Sequence, residues 1–198
     1  MVAKKSKDIV GIDEVGRGPL AGPVAVCALR LKNGFKAKNF ANFRDSKKLS
    51  HIQRLKWLEK IEEEKKQGNI IYKVSFESNK VIDQKGIVFA IKKSLANSLK
   101  NLNLNPKTCQ VLLDGGLRAP IEYVNQKTII KGDEKELAIA LSSIVAKVAR
   151  DRLMIKLSKK YIGYGFEKHK GYGTREHYKA LKNKGVLEIH RKSFLGIS

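Results

Sequence analysis

At 198 residues, the chain is long enough to bury a hydrophobic core without disulfides or a structural metal, and its length fits a single domain. Hydrophobic residues make up 42% of the sequence and charged residues 30%, a globular composition that excludes an intrinsically disordered chain. The formal net charge of +22 makes a polyanion such as nucleic acid the first partner to consider, although charge by itself indicates no reaction.

The apolar segments are too short for a membrane protein. None approaches the roughly 20 residues that a membrane-spanning helix needs, and the N-terminal lysines lead into a short strand pattern rather than a signal sequence. We therefore expect a cytoplasmic protein without membrane contact. Cys27 and Cys109 lie in separate apolar segments without metal-type spacing, so we expect two reduced, buried thiols, with a single disulfide as the alternative.

The first elements predicted along the chain are two strands and a helix. Residues 9–15 and 24–31 are short, apolar and partly β-branched, and the Gly- and Pro-rich segment between them predicts an antiparallel pair. Ser50 and Gln53 have the spacing of a capping box, and the apolar residues that follow at helical intervals predict a helix ending at Gly68.

The middle of the chain predicts three more strands around a helix. Residues 70–76 indicate a third strand, and residues 87–102 form an amphipathic helix that we expect Pro106 to end. Two short apolar strands follow, at 111–113 and 128–130, and each leads into a loop that carries an acidic residue.

The C-terminal part is predicted to be helical. A long helix over 134–160 is followed by a short helix that Thr174 caps and Gly185 ends. The element order predicts an α/β fold, in which a mixed five-stranded sheet is flanked by helices. We expect residues 1–198 to form one domain, with a small C-terminal helical extension from about residue 160.

Four acidic residues lie where predicted strands give way to loops. Asp13 and Glu14 close the first strand, and Asp114 and Asp133 follow the fourth and fifth. In open α/β sheets the carboxyl ends of neighbouring strands form a crevice in which ligand-binding groups collect. Neighbouring residues on a regular strand face opposite sides, so Asp13 and Glu14 can serve one site only if the chain distorts, which Gly16 allows at little cost.

This set of acids indicates a metal site. A carboxylate removed from water is costly unless a cation or several donors compensate it. Carboxylate oxygens suit Mg²⁺ or Mn²⁺, and no His and Cys cluster has zinc-type spacing. Four acids would hold two such ions, and phosphodiester hydrolysis is the natural reaction. The alternative, a core hydrogen bond for Asp13 and a solvated Glu14, leaves Asp114 and Asp133 unexplained.

Motifs along residues 9–195 resemble ribonuclease HII in order and spacing. They are Gly11-Ile12-Asp13-Glu14-Val15-Gly16-Arg17-Gly18-Pro19, Asp45-Ser46-Lys47-Lys48-Leu49, Asp114-Gly115, Lys131-Gly132-Asp133, Ser143-Ile144-Val145-Ala146-Lys147-Val148-Ala149-Arg150-Asp151, Tyr164-Gly165-Phe166 and His169-Lys170-Gly171-Tyr172-Gly173-Thr174. The resemblance implies a ribonuclease H-like fold in which the four acids bind Mn²⁺ or Mg²⁺ and catalyse. It also implies cleavage on the 5′ side of ribonucleotides, in RNA/DNA hybrids and in DNA duplexes with embedded ribonucleotides. The products would carry 3′-hydroxyl and 5′-phosphate ends, and the cellular role would be ribonucleotide excision and primer removal.

The resemblance also implies how the ribonucleotide is recognised. Gly16, Arg17 and Gly18 match a loop that recognises the 2′-hydroxyl largely through its backbone, and glycine suits that role because main-chain groups can approach the sugar. Tyr172 matches a tyrosine that packs on the sugar beyond the cut, with a partly buried core tyrosine as the alternative.

Further substrate contacts are expected on a loop, a helix and the C-terminal extension. Ser46, Lys47 and Lys48 resemble a backbone-contacting loop, with a solvated loop as the alternative. The helix residues Lys147 and Arg150 face either a phosphate or Asp151, and we interpret Asp151 itself as structural. The remaining predicted contact is His169.

The other histidines and the single tryptophan are interpreted as structural. His51, His177 and His190 are not spaced as metal ligands, so we expect surface or packing roles for them. Trp57 lies on a predicted helix face and is expected to pack in the core.

Two other functions each fit part of the sequence. An integrase, transposase or junction resolvase also uses clustered acids, but it gives the 16–18 loop and Tyr172 no role. A non-catalytic nucleic-acid-binding protein explains the net charge but not the four acids.

The chain is expected to resemble the type HII enzymes more than type HIII. Type HIII enzymes usually carry a substantial N-terminal extension, and only eight residues precede the first strand here. We expect a monomer that binds RNA/DNA hybrids and ribonucleotide-containing duplex DNA. Phe194-Leu195 is too slight a feature to indicate binding to a replication clamp.

Overall fold

A five-stranded sheet forms the centre of the computed structural model, which describes residues 7–40 and 49–197 apart from the side chain of Asn39. The strands are β1 (Ile9–Val15), β2 (Val24–Leu31), β3 (Ile70–Glu77), β4 (Gln110–Asp114) and β5 (Gln126–Ile129). Their order across the sheet is β3-β2-β1-β4-β5. β2 is antiparallel to both β1 and β3, whereas β4 is parallel to both β1 and β5. The predicted mixed sheet is confirmed.

Helices cover both faces of the sheet and form the C-terminal region. Within the described ranges they are α1 (His51–Lys66), α2 (Asn79–Lys85), α3 (Ile87–Leu102), α4 (Gly132–Lys135), α5 (Leu137–Lys160), α6 (Phe166–His169), α7 (Arg175–Lys184) and α8 (Lys192–Leu195), with a 3-10 helix at Ala37–Phe40. The predicted capping box begins α1, because Ser50 accepts the N–H of Gln53 and the Gln53 side chain accepts the N–H of Ser50. A simpler cap begins α7, where the Thr174 side chain accepts the N–H of His177.

Strand β2 shows how the layers are arranged. All eight of its residues are buried, and alternate side chains on a strand point to opposite faces. Val26 and Ala28 belong to an apolar cluster with α3, whereas Cys27 and Leu29 belong to a second cluster with α1 and α5. The sheet is therefore the middle layer, with α3 on one side and α1 and α5 on the other.

Gly11 brings α5 against β1. A β-carbon at Gly11 would lie 2.0 Å from the carbonyl carbon of Ala138, so only glycine allows this approach of strand and helix. Because Asp13 lies two residues further along β1, the contact places the first turns of α5 beside the end of that strand.

Two of the predicted helix boundaries require correction. The helix over 87–102 has the predicted length, but Asn103, in the left-handed region with φ 53°, ends it before Pro106 is reached. The helix predicted over 134–160 is two helices, because the backbone of Glu136 is extended and separates α4 from α5.

The remaining structural expectations can also be compared with the fold. Cys27 and Cys109 are free and buried, as predicted. Trp57 is partly buried in the cluster around α1 and stacks on Phe40, with ring centroids 5.8 Å apart, so its packing role is confirmed. None of the helices in the described ranges is long and apolar enough to cross a membrane.

Candidate active site

Asp13 and Asp114 occupy equivalent positions at the ends of adjacent parallel strands. The pairing of β1 with β4 runs as far as Ile12 and Leu113, and the next residue on each strand is an aspartate. Both side chains line a cleft of about 400 Å³. The residues around this cleft are Asp13, Glu14, Val15, Arg54, Asp114, Ser143, Ile144, Lys147 and Tyr172.

Asp13 is the most buried of the three acids that line the cleft, and it is only 6% exposed. Its Oδ1 accepts the N–H of Glu14 at 2.8 Å, and the side chain of Ser143 on α5 also hydrogen-bonds it. Burial raises the pKa of Asp13 to about 7, the charges of Glu14 and Asp114 raise it as well, and the Ser143 hydrogen bond opposes them. A cation bound beside this carboxyl would compensate its negative form and oppose the rise in its pKa.

Glu14 and Asp114 complete a group of three carboxylates in the cleft. Burial and the charge of Asp114 raise the pKa of Glu14, although the guanidinium of Arg17, at 2.9 Å from Oε1, opposes the shift. Asp114 accepts the N–H of Gly132 on Oδ1 at 2.7 Å. Because three acids share one partly buried space, their negative forms destabilise one another, and a cation bound among them would relieve this repulsion.

Asp133 is held close to this group but does not line the cleft. It lies in the first turn of α4, is 1% exposed, and directly follows Gly132, the residue that donates to Asp114. Across residues 7–40 and 49–197, no three His, Cys, Asp or Glu side chains are arranged to hold a metal ion as they stand. The structure thus brings three of the four predicted acids to one cleft and places the fourth next to a backbone partner of Asp114.

The predicted recognition loop lies at the edge of the same cleft. Gly16 has φ +91°, and a β-carbon there would lie 2.2 Å from Nε of Arg150, so this position requires glycine. The side chain of Arg17 is more than half exposed and reaches Glu14. Gly18 is exposed, and no heavy atom lies within 4 Å of the place where its β-carbon would be. The outer side of this loop is therefore open to a ligand.

Tyr172 and Lys147 also line the cleft. Tyr172 is 39% exposed, which is inconsistent with a core tyrosine. The Nζ of Lys147 lies 5.8 Å from the centre of the Tyr172 ring, and it also forms a 2.8 Å ion pair with the buried Asp151. The structural role expected for Asp151 is thereby confirmed, and Lys147 places a cation beside an accessible aromatic ring.

A comparison with known proteins decides the family. The ribonuclease HII family model matches residues 10–196, nearly the whole chain. The chain belongs to the ribonuclease HII family. It is 44% identical over 187 residues to ribonuclease HII of Caldicellulosiruptor bescii, a match that covers 94% of this chain and 86% of that relative. This member of the family is therefore a ribonuclease H, a hydrolase with endonuclease activity, and the integrase-like and non-catalytic alternatives are wrong.

Solved structures of ribonucleases HII and HIII share the fold. The structure of the PCNA:RNase HII complex from Archaeoglobus fulgidus contains a chain that matches with a TM-score of 0.75 at 24% identity, covering 93% of each chain. Bst-RNase HIII in complex with Mn²⁺ matches with a TM-score of 0.67 at 17% identity, covering 91% of this chain and 63% of that one. These likenesses confirm the predicted ribonuclease H-like architecture.

Arg150 does not make the phosphate contact that was one of its two expected roles. It is fully buried, and its guanidinium donates to the carbonyls of Pro23 at 2.9 Å, Lys170 at 3.0 Å and Ala21 at 3.2 Å. In this member of the ribonuclease HII family, Arg150 therefore joins the β1–β2 connection to the segment that leads to Tyr172.

His169 is also a packing residue rather than a surface contact. It is 8% exposed, its Nε2 lies 2.7 Å from the carbonyl of Tyr164, and its Nδ1 accepts the N–H of Gly171. Its ring stacks on His177 with centroids 4.5 Å apart, and Nε2 of His177 lies 3.0 Å from Nε2 of His190. Three histidines that sequence spacing separates thus pack together in the C-terminal region.

Three predicted contacts lie outside the described residues, and two residues that line the cleft were not predicted. Ser46, Lys47 and Lys48 lie outside the described residues. Ser143 and Arg54 line the cleft but were not singled out as site residues. A signal for Ser143 was available, because it precedes Lys147 by four residues and i,i+4 pairs share one face of a helix.

Proposed function

We propose that this ribonuclease HII family member hydrolyses the phosphodiester bond on the 5′ side of ribonucleotides, both in RNA/DNA hybrids and in DNA duplexes with embedded ribonucleotides. The reaction uses two divalent cations, Mn²⁺ or Mg²⁺, and leaves 3′-hydroxyl and 5′-phosphate ends. The protein acts as a monomer, since a cleft that docks on a duplex needs no partner subunit.

The observation that carries this proposal is the meeting of three carboxylates beside an open glycine loop. Asp13 and Glu14 come from β1 and Asp114 from β4, and all three line one cleft. Acids in a chain of net charge +22 are not there to attract a polyanion. They fit a site that holds cations against a phosphodiester.

The donor set fits divalent cations of the Mg²⁺ and Mn²⁺ type. Its atoms are carboxylate oxygens, which these hard ions prefer. Burial raises the pKa values of Asp13 and Glu14, because Ser143 and Arg17 compensate their negative forms only in part. We assign Asp13, Glu14, Asp114 and Asp133 to hold the cations. When bound, such ions supply charge stabilisation at the phosphate and activation of the attacking water.

The surrounding residues position the substrate. The Gly16–Gly18 backbone approaches the ribonucleotide 2′-hydroxyl, because Gly18 exposes main chain without side-chain bulk while Gly16 lets the loop pack closely on Arg150. Tyr172 packs on the sugar beyond the cut, and Lys147 lies close enough to its ring to contact the adjacent phosphate. Residues from about 160 onward act as an extension that contacts substrate through Tyr172.

The decisive test is a duplex with a single embedded ribonucleotide, alongside an RNA/DNA hybrid and an all-DNA duplex of the same sequence. We expect nicking of the first two in Mn²⁺ or Mg²⁺, no nicking of the third, and none in EDTA. End analysis with a phosphatase and a ligase should find 5′-phosphate and 3′-hydroxyl termini. Cleavage of the all-DNA duplex at a comparable rate would refute the proposal.

An active-site variant separates metal-dependent chemistry from duplex binding. We expect Asp13→Asn to abolish nicking. Duplex affinity should change little, because the lysine and arginine side chains that bind phosphates are retained. Asp8→Asn is the matched control, since Asp8 loses the same charge outside the cleft. Near-normal turnover by the Asp13 variant would overturn the assignment of this acid.

A further inference from the structure

A buried arginine lies directly beneath the recognition loop. Arg191, just before α8, is fully buried, and its guanidinium donates to three carbonyls of the β1–β2 connection. The distances are 2.7 Å from Nη2 to Gly16 O, 2.9 Å from Nη1 to Arg17 O and 3.0 Å from Nε to Gly22 O. Among the ion pairs of residues 7–40 and 49–197, none gives Arg191 a carboxylate partner.

Burial of the Arg191 guanidinium costs desolvation free energy, which its hydrogen bonds must offset. A buried cation without an ion-pair partner is stable only if its donors are well satisfied. The planar guanidinium offers donors in a fixed fork, and here that fork matches three backbone oxygens of one loop. A lysine would keep the charge but could not reproduce these directions.

Because of peptide-bond geometry, this contact leaves N–H groups of the loop pointing away from Arg191. In a planar trans peptide, the C=O of one residue and the N–H of the next point in opposite directions. Turning the carbonyls of Gly16 and Arg17 towards Arg191 therefore turns the N–H groups of Arg17 and Gly18 away from it. Within the described part of the chain neither N–H donates a hydrogen bond, so both can serve an oxygen of a bound ligand.

The C-terminal segment holds Arg191 in this position from two sides. The N–H of Arg191 donates to Leu20 O at 2.8 Å, which joins the segment to the loop. On the other side, the Asp83 carboxylate of α2 accepts the N–H groups of Lys192 at 3.1 Å and Ser193 at 3.0 Å. Arg191 is thus placed by contacts that do not depend on substrate.

We propose that Arg191 is a positioning residue for ribonucleotide recognition, which directs the N–H groups of Arg17 and Gly18 towards the sugar and its adjacent phosphate oxygen from the buried side of the loop. It does not touch the substrate. This inference rests on the proposed function of residues 16–18. It assigns selectivity for ribose over deoxyribose in part to the C-terminal segment.

Arg191→Lys tests the inference. In an Asp13→Asn background, which prevents cutting, affinity is measured for a duplex with one ribonucleotide and for the matching all-DNA duplex. We expect the all-DNA affinity to stay unchanged, because the charge is buried and retained. The ratio of the two affinities should fall by roughly tenfold, which corresponds to the loss of one or two backbone hydrogen bonds to the substrate. With Asp13 restored, kcat/KM for the ribonucleotide duplex should fall by a similar factor.

Tyr164→Phe is the matched control for a purely structural role. It removes the hydrogen bonds of the Tyr164 hydroxyl to the carbonyls of Lys184 and Gly185 in the C-terminal region, and it leaves the contacts of Arg191 to the loop in place. Both variants are compared at equal distance below their melting temperatures. Retention of the affinity ratio by Tyr164→Phe and its loss in Arg191→Lys supports the inference. An equal loss in both, or an unchanged ratio in Arg191→Lys, overturns it.

Two further outcomes are distinguishable. Where Arg191→Lys does not fold, Arg191→Ala is assayed with and without millimolar guanidinium ion: recovery of the ratio supports the inference and failure to recover it overturns it. A wild-type protein that binds both duplexes equally would instead overturn the proposed function of the loop.

Discussion

The side chain of Ser143 on α5 hydrogen-bonds the Asp13 carboxyl on β1, and this contact opposes the effect of burial on that acid. Gly11 makes the contact geometrically feasible, because it lets α5 approach the strand two residues before Asp13. A helix residue therefore regulates how readily a strand carboxylate takes its negative, cation-binding form.

Ser143→Ala should lower the apparent metal affinity at low pH. Without the hydroxyl, the pKa of Asp13 rises further, and protons compete better with the cation. A shift of one pKa unit corresponds to about tenfold in apparent affinity on the acid side of the titration. Metal titrations of the nicking rate at pH 6.5 and pH 8.5 should show a clear loss at the lower pH and little at the higher one. Ser143→Thr keeps a hydroxyl and is the control; an equal loss at both pH values would contradict the role given to the hydrogen bond.

Asp13→Asn should stabilise the metal-free protein, and the gain should grow as the pH rises. The pKa of Asp13 is raised from 3.8 to about 7 on folding, so its contribution to the free energy of unfolding is fully present below about pH 4 and is lost as the pH rises through 7. The difference between pH 5 and pH 8.5 is on the order of a few kcal/mol at most. Thermal unfolding in EDTA should therefore show a higher Tm for the variant at pH 8.5 and a clearly smaller difference at pH 5.

Added Mn²⁺ provides the complementary measurement. A cation that binds only the folded protein raises its Tm, and the wild type should gain more than Asp13→Asn at pH 8.5. A variant that is less stable than the wild type at both pH values in EDTA would show that burial does not destabilise the negative form of Asp13.

The acids of β1 and β4 could be found from sequence because a local rule covers them. Each lies in the last part of a short apolar strand, and the ends of adjacent parallel strands must lie together. Asp133 was harder to place, since β5 ends at Ile129 and four residues later the chain has entered the first turn of α4. The strand-end pattern predicted that Asp133 lies near the other acids, but not that it lies outside the cleft lining.

The two buried arginines could not be predicted in the same way. Arg150 and Arg191 bind backbone carbonyls 127 to 129 and 169 to 175 residues away in the chain. Any backbone carbonyl can accept such a bond, so no side-chain pattern marks the partners. A sequence with 41 Lys and Arg also gives no reason to expect that two of them are buried.

Gly18→Ala should separate recognition from folding. A β-carbon at Gly18 meets no heavy atom within 4 Å and the backbone there does not require glycine, so we expect the Tm to change by no more than about 1 °C. If main-chain groups approach the sugar at this position, kcat/KM for a ribonucleotide-containing duplex should fall roughly tenfold or more. Gly116→Ala is the matched control, because it adds a methyl group in equally open space. Full activity of the Gly18 variant would argue against backbone recognition at this residue.

Lys147 and Arg150 should differ in the salt dependence of duplex binding. Each phosphate contact contributes about 0.9 to the slope of log affinity against log salt concentration. Lys147→Ala should reduce the magnitude of this slope by about 1, because its ammonium group is accessible in the cleft. Arg150→Lys should leave the slope unchanged and lower the Tm instead, since the guanidinium holds three buried carbonyls and a lysine cannot replace those bonds. Fluorescence anisotropy over a salt series, together with thermal melts, measures both quantities, and a reduced slope in Arg150→Lys would mean that this arginine reaches the substrate after all.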